Sequence, residues 1–160
     1  MTAPDILLIE DNRHDSAMIM DALHEHDMRY RVFLLNDGAK ALGYFADVQG
    51  NTDEAHPPFP RLILLDLKLP KVDGIELIER LKSNERTRHI PIVVFTSSNE
   101  PRDKMKSFAL GANSYVIKPL DGDSFANTVS SIVSYWLRTN APIHDDLGGV
   151  RAEGFPREMR

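Results

Sequence analysis

Cysteine is absent from all 160 residues, which excludes disulfides, thiolate catalysis and cysteine-based zinc sites. Long apolar runs are absent too, and no stretch approaches the roughly 18 residues that would mark a membrane span. The amino terminus, MTAPD, has no basic region ahead of its first apolar run, so no secretory leader is expected. Positive charge is in deficit: 19 Lys and Arg stand against 24 Asp and Glu, for a net charge of −5. That balance speaks against a nucleic-acid binder, whose footprint is a basic patch. Together these absences lead us to expect a cytoplasmic protein with no nucleic acid and no membrane among its partners. A chain of this length buries a good core without covalent staples. Its 42% hydrophobic and 27% charged residues are ordinary for one folded domain.

What is present is a rhythm. Five short apolar runs recur: ILLI (6–9), VFLL (32–35), LILL (62–65), IVVF (92–95) and YVI (115–117). Runs of that length, bounded by polar residues, read as buried strands. Between them the apolar positions take helical spacing. Ile19, Ala22 and Leu23 share a face, as do Ala39, Leu42, Phe45 and Ala46. Ile75, Ile78 and Leu81 form a third stripe, and Met105, Phe108 and Ala109 a fourth. The longest runs through Phe125, Val129, Ile132, Val133 and Trp136 and reads as core packing. Helix starts fall at Asn36/Asp37, Asp73 and the Asp121–Ser124 stretch, where the side chains suit N-caps. Gly111 reads as the cap after the fourth helix, and Pro91 opens the fourth strand.

Strands alternating with helices give an α/β domain of (βα)5 type. Its doubly wound, five-stranded parallel sheet is covered on both faces by right-handed crossovers. Two stretches fall outside the rhythm. Residues 47–61, DVQGNTDEAHPPFPR, hold three prolines and read as a long surface loop. Residues 138–160 have no sustained period and read as a mobile tail behind a domain spanning 1–137.

The third run ends in a charge. LILL passes straight into Asp66, and an unpaired carboxylate inside an apolar strand is strongly disfavoured. Asp66 therefore belongs at the strand's C-terminal end, where open α/β sheets keep their chemistry. Because parallel strands point the same way, the others deliver Glu10-Asp11, Thr96-Ser97-Ser98 and Lys118-Pro119 to the same rim. Three crowded carboxylates repel, by roughly 4 kcal/mol for a pair at about 4 Å near a surface. Either some hold protons or a cation sits among them. Hard oxygen donors with open positions suit Mg2+. A carboxylate beside such a metal, with an ammonium and a hydroxyl nearby, is a set of parts for phosphoryl transfer through an acyl phosphate.

Read singly, each residue has a plainer use. Asp66 can end a strand, Glu10-Asp11 can cap the first helix, Thr96 can be a strand-end hydroxyl, and Tyr115 can simply pack. Of the six histidines, His24 and His26 point to different faces of a helix and the rest are scattered, so no zinc site is expected.

Four motifs decide between the readings: LLIEDN, LLDLKLPKVDG, VVFTSS and GANSYVIKP. In that order, and with the separations from 66 to 96 to 118, they resemble the response-regulator receiver domain of two-component signalling, over residues 5–137. The resemblance implies a chemotaxis-regulator-like, flavodoxin-like fold with strand order 2-1-3-4-5. It implies Asp66 as phosphoacceptor, Asp11 as direct Mg2+ ligand, Glu10 acting through a metal-bound water, and the backbone carbonyl of Lys68 as a further ligand. Thr96 would be the switch hydroxyl, Lys118 the phosphate-binding cation, and Tyr115 the aromatic that turns inward on activation. The Lys118–Pro119 peptide would be cis. Glu10 stands where aspartate is commoner, and Lys68 brings a basic side chain beside the site. Such a domain catalyses only its own phosphorylation and autodephosphorylation, taking its phosphoryl group from a sensor histidine kinase.

No output segment follows the receiver stretch, so signalling through protein contacts is expected. The Pro-rich insert and HIPIVVFTSS look like the small regulators that partner phytochrome-type kinases. A homodimer is expected through the fourth helix, fifth strand and fifth helix, with Tyr135, Leu137 and Val116 at its apolar centre and Lys104 at its rim. Two other functions share the fold class. A flavodoxin-like FMN protein needs a Ser/Thr/Gly-rich loop after the first strand, whereas EDNRHD would repel a phosphate. A Mg2+-dependent phosphatase needs a further acid–base group, for which only Lys68 and His14 are near.

Overall fold

The computed structural model describes residues 4–50 and 59–141. Five parallel strands lie in the order β2-β1-β3-β4-β5. They are β1 (Ile6–Ile9), β2 (Val32–Leu35), β3 (Leu62–Leu65), β4 (Ile92–Thr96) and β5 (Ser114–Ile117). The helices between and after them are α1 (Arg13–Glu25), α2 (Gly38–Gly50), α3 (Gly74–Ser83), α4 (Pro101–Ala109) and α5 (Gly122–Ser134). A wider π-type turn, Tyr135–Thr139, continues α5. The expected α/β class, strand order and helix count are all met.

The three central strands are buried along their whole length, with helices on both faces. Their register places Ile9 beside Leu65 and Leu65 beside Val94, so the next residues of the strands emerge side by side. Four of the five α-helix starts are fixed by a short polar side chain, while α4 opens at Glu100-Pro101 without one. Asn12 accepts from the amides of His14 and Asp15, Asp73 from Glu76, and Asp121 from Ser124. Asp37 accepts from the Lys40 amide and opens α2. Gly111, at φ 107°, turns the chain out of α4 in a conformation that favours glycine.

Three faces differ from the periodic reading. In α2, Ala39 and Ala46 are exposed and the core side is Ala41 and Phe45. Gly38 sets that rotation: a Cβ there would overlap the Val72 carbonyl, so the helix starts pressed against the loop before α3. In α4, Met105 and Phe108 are exposed and Ser107 is buried. That helix lies at the sheet's border, beside a β5 that is itself only half-buried. In the π-type turn that continues α5, Leu137 is core rather than surface. It continues the four-residue steps of Phe125, Val129 and Val133 onto the inward face.

At the far end of the sheet the chain is tied down. Arg61 donates to the Leu137 carbonyl at 2.9 Å and Arg138 to the Tyr30 hydroxyl at 3.1 Å. Most of the Pro-rich 47–61 stretch and residues 142–160 of the tail lie outside the described residues.

Candidate functional site

The strands deliver their polar residues at, or just past, their C-terminal ends. Glu10 and Asp11 follow β1, Asp66 follows β3, Thr96 is the last residue of β4, and Lys118 follows β5. The parallel register gathers them. Carboxylate oxygens of Glu10, Asp11 and Asp66 all lie within 4.8 Å of one another. Glu10 and Asp66 are buried while Asp11 is exposed, so the cluster has two walls in the protein and one in solvent.

Lys118 reaches in from the other side. Its Nζ donates to Glu10 Oε2 at 2.7 Å, to Asp15 Oδ2 at 2.7 Å and to Asp66 Oδ2 at 3.4 Å. The β5 end is held for this by the Lys118 amide, which donates to the Thr96 carbonyl at 2.8 Å. Asp15 was not anticipated from the sequence. It stands one helical turn beyond Asp11, and that four-residue step is the signal that could have found it.

Close packing fixes the acceptor's backbone. A Cβ on Gly74 would come within 2.6 Å of the Leu67 Cα and 2.7 Å of the Asp66 carbonyl oxygen. Only glycine lets the start of α3 approach Asp66 this closely. Lys68 is exposed, and its amide is 3.5 Å from Asp66 Oδ1, at the limit of a hydrogen bond.

The electrostatics are those of a cluster short of positive charge. Burial pushes the Glu10 carboxyl up to about 7, helped by Asp66, while the Lys118 ammonium and the Asn12 amide oppose the rise. Burial alone would lower Lys118. Its hydrogen bonds to Asp15 and Glu10 and the charge of Asp66 outweigh that, and the net direction is upward. Three carboxylates whose oxygens gather within 4.8 Å of one another are hard donors of the kind a divalent metal takes. The residues fit such an ion.

On the opposite wall Thr96 is fully buried, and its hydroxyl accepts from the Ser98 amide at 3.3 Å. The Tyr115 hydroxyl donates to the Ser98 carbonyl at 2.9 Å. Thr96 and Tyr115 thus meet on the same residue of the loop after β4. Lys104 Nζ lies 6.0 Å from the centre of the Tyr115 ring, and the Phe108 ring is 6.5 Å away. The Lys118–Pro119 peptide, expected cis, is trans. Trans is the lower-energy isomer before proline, by about 0.5–1 kcal/mol.

The loop after β1 brings Glu10, Asp11 and Asp15 to the rim, acids that disfavour the phosphate of an FMN-type cofactor. Cavities of about 440 and 530 Å3 lie elsewhere, one between α2 and α3 and one under the end of α1.

The response regulator receiver domain pattern matches residues 6–130. The chain belongs to that family. This receiver is similar to a probable methanogenesis regulatory protein, FilR2, of Methanothrix harundinacea, at 41% identity over 135 residues and 84% of each chain. It is 37% identical over 134 residues to the response regulator Rcp1 of Synechocystis, covering 84% of this chain and 89% of Rcp1. A solved Mn2+-bound form of Rcp1 has a TM-score of 0.75 at 33% identity, covering 87% of this chain and 99% of that one. The phosphorylated cyanobacterial phytochrome response regulator RcpA gives a TM-score of 0.77 at 33% identity, covering 87% and 97%.

The receiver is therefore a phosphorylation-activated signalling domain of two-component type, from a family that is generally non-enzymatic and is served by histidine kinases. No helix among the described residues is long and apolar enough to cross a membrane.

Proposed function

We propose that Asp66 is the phosphoacceptor of this receiver and that a sensor histidine kinase supplies the phosphoryl group from phosphohistidine. A carboxylate oxygen of Asp66 forms the new O–P bond. The P–N bond breaks, and its electron pair stays on the imidazole nitrogen, which takes up a proton. The observation that carries this reading is the convergence of Lys118 Nζ on Asp66 and Glu10 beside the three-carboxylate cluster. Asp11, Asp66 and the Lys68 carbonyl would hold Mg2+ directly and Glu10 through a water. When bound, the ion supplies positive charge to the phosphoryl oxygens. Lys118 supplies a second cation, and the Thr96 hydroxyl a hydrogen bond to a third oxygen.

Thr96 and Tyr115 are the switch. Drawing the Thr96 hydroxyl toward a phosphoryl oxygen loosens its hold on the Ser98 amide and resets the loop that carries the Tyr115 contact. The state is read by protein contact. The likeness to RcpA, a phytochrome response regulator, supports a phytochrome-type kinase as the partner, and the net charge of −5 supports a partner other than nucleic acid. The α4–β5–α5 side exposes Met105, Phe108, Ile117 and Tyr135, with Lys104 at the edge, and this supports a homodimer centred there. Leu137 takes no part in it, being core, and Val116 is half-buried.

The acceptor is tested by labelling. With Mg2+ and acetyl phosphate the protein gains one acid-stable, base-labile phosphoryl group, and Asp66→Asn gains none. Equal labelling of the variant overturns the assignment. Thr96→Ala accepts phosphate but leaves the Tyr115 ring signals in NMR nearly unmoved. Sedimentation at tens of micromolar, with and without an acyl-phosphate mimic, reads the dimer, and Tyr135→Asp breaks it.

A further inference from the structure

Lys118 is held by more carboxylate than the proposed chemistry uses. Glu10 and Asp66 belong to the metal-capable cluster, and Asp15 does not. Yet Asp15 Oδ2 is as near to Nζ as Glu10 Oε2 is, both at 2.7 Å, and nearer than Asp66 Oδ2 at 3.4 Å. Asp15 sits in the first turn of α1, where the Asn12 side chain accepts from its amide. Its side chain is 23% exposed against 1% for Glu10, so water shares in solvating its charge. An ammonium has three protons. Two are spent on short contacts, and the long one goes to the acceptor.

We propose that Asp15 is a positioning residue for phosphoryl transfer, drawing Lys118 toward α1 so that the Asp66 carboxylate is only loosely engaged. The proposal rests on Asp66 being the acceptor. Before transfer, a lysine held by Asp15 leaves the attacking oxygen's lone pair free. After transfer the phosphoryl group adds negative charge at Asp66, and Nζ trades the Asp15 contact for a phosphoryl oxygen. Asp15 competes for that ammonium throughout. It therefore weakens the grip on the acyl phosphate and shortens its lifetime.

Asp15→Asn tests this with acetyl phosphate and Mg2+. The variant should reach its acyl phosphate with a lower maximal rate and little change in the half-saturating donor concentration. It should then lose the group about tenfold more slowly, the fold-change of one charge-assisted hydrogen bond taken out of competition. Its acyl-phosphate 31P resonance should shift. Asp15→Glu should restore the wild-type lifetime. Asp21→Asn, which removes one charge from the exposed face of the same helix, should leave the lifetime unchanged. A wild-type lifetime in Asp15→Asn, or an equal change in Asp21→Asn, overturns the proposal. Failure of the acceptor reading shows separately, as full labelling of Asp66→Asn. In that event the Lys118 Nζ resonance of unphosphorylated protein still decides, because it must move in Asp15→Asn, and an unmoved signal overturns the proposal.

Discussion

Two lysines reach into the two ends of the same sheet, and they are solvated in opposite ways. At the C-terminal rim, Lys118 donates to three carboxylates. At the other end, Lys82 donates to three neutral oxygens: the carbonyls of Arg88 and Ile90 and the Asn113 side chain, at 2.9, 2.8 and 2.9 Å. Each ammonium makes three contacts, and the charge balance differs. Lys118 is pushed up, whereas burial without a counter-charge pulls Lys82 down to about 8. Lys82 is a closed latch that ties the end of α3 to the loops entering β4 and β5. Lys118 sits among anions that outnumber it, which leaves room for another cation or for a change in what it holds. A site built for chemistry shows itself by being electrostatically incomplete.

The contrast breaks most visibly on substitution. Lys118→Met leaves buried carboxylates uncompensated and should cost about 3–5 kcal/mol of stability without metal, part of it recovered on adding Mg2+. Lys82→Met leaves neutral acceptors unpaired and should cost about 1–3 kcal/mol, with no recovery. Urea unfolding with and without Mg2+ measures both. Recovery of the Lys82 variant by the metal would erase the distinction.

Titration sharpens it. The folded state holds a proton on Glu10 up to about 7, against 4.5 ordinarily. Between those values the native protein binds more protons than the unfolded chain. Metal-free stability should therefore fall as pH rises from 4.5 to 7, by up to about 3 kcal/mol. Glu10→Gln should flatten that slope, and saturating Mg2+ should restore stability at pH 7 and above. Lys82 gives the opposite sign at higher pH. From about 8 to 10.5 the unfolded chain binds the extra proton, so its contribution to stability rises with pH. Comparing Lys82→Met with wild type over that window isolates the effect from the tyrosines.

The smallest effect belongs to a third buried polar group. The Ser107 hydroxyl on α4 is, among the described residues, the buried side-chain group with no hydrogen-bond partner. Ser107→Ala should stabilise the protein by about 1 kcal/mol, read as a raised thermal midpoint. A loss instead would mean the hydroxyl is satisfied in solution.

The rim was legible because geometry did most of the work. Once LILL, ILLI, IVVF and YVI are strands of a parallel sheet, Glu10, Asp66, Thr96 and Lys118 have nowhere to go but one edge. Asp15 escaped notice because it belongs to a helix rather than a strand end, and only its step from Asp11 gives it away. The face of α4 escaped for a different reason. Met105 and Phe108 have the spacing of a core stripe, but spacing says which residues share a face and not whether the sheet beneath is wide enough to cover it. Leu137 misled in the reverse sense: its place in the sequence of four-residue steps outweighs its position near the end of the helix.

The anchoring of the last helix has a practical side. Arg61 on the Leu137 carbonyl and Arg138 on the Tyr30 hydroxyl fix the end of the helical segment at the pole of the sheet remote from the rim. Because the chain has no native thiol, a cysteine introduced at Asn140 would be a unique handle on that fixed pole. A second at Met105, which is 73% exposed on α4, would complete a dye pair. One dye would stand on that fixed pole and the other on α4, giving a molecular ruler that would report any displacement of α4 during phosphorylation without touching the residues that carry it out.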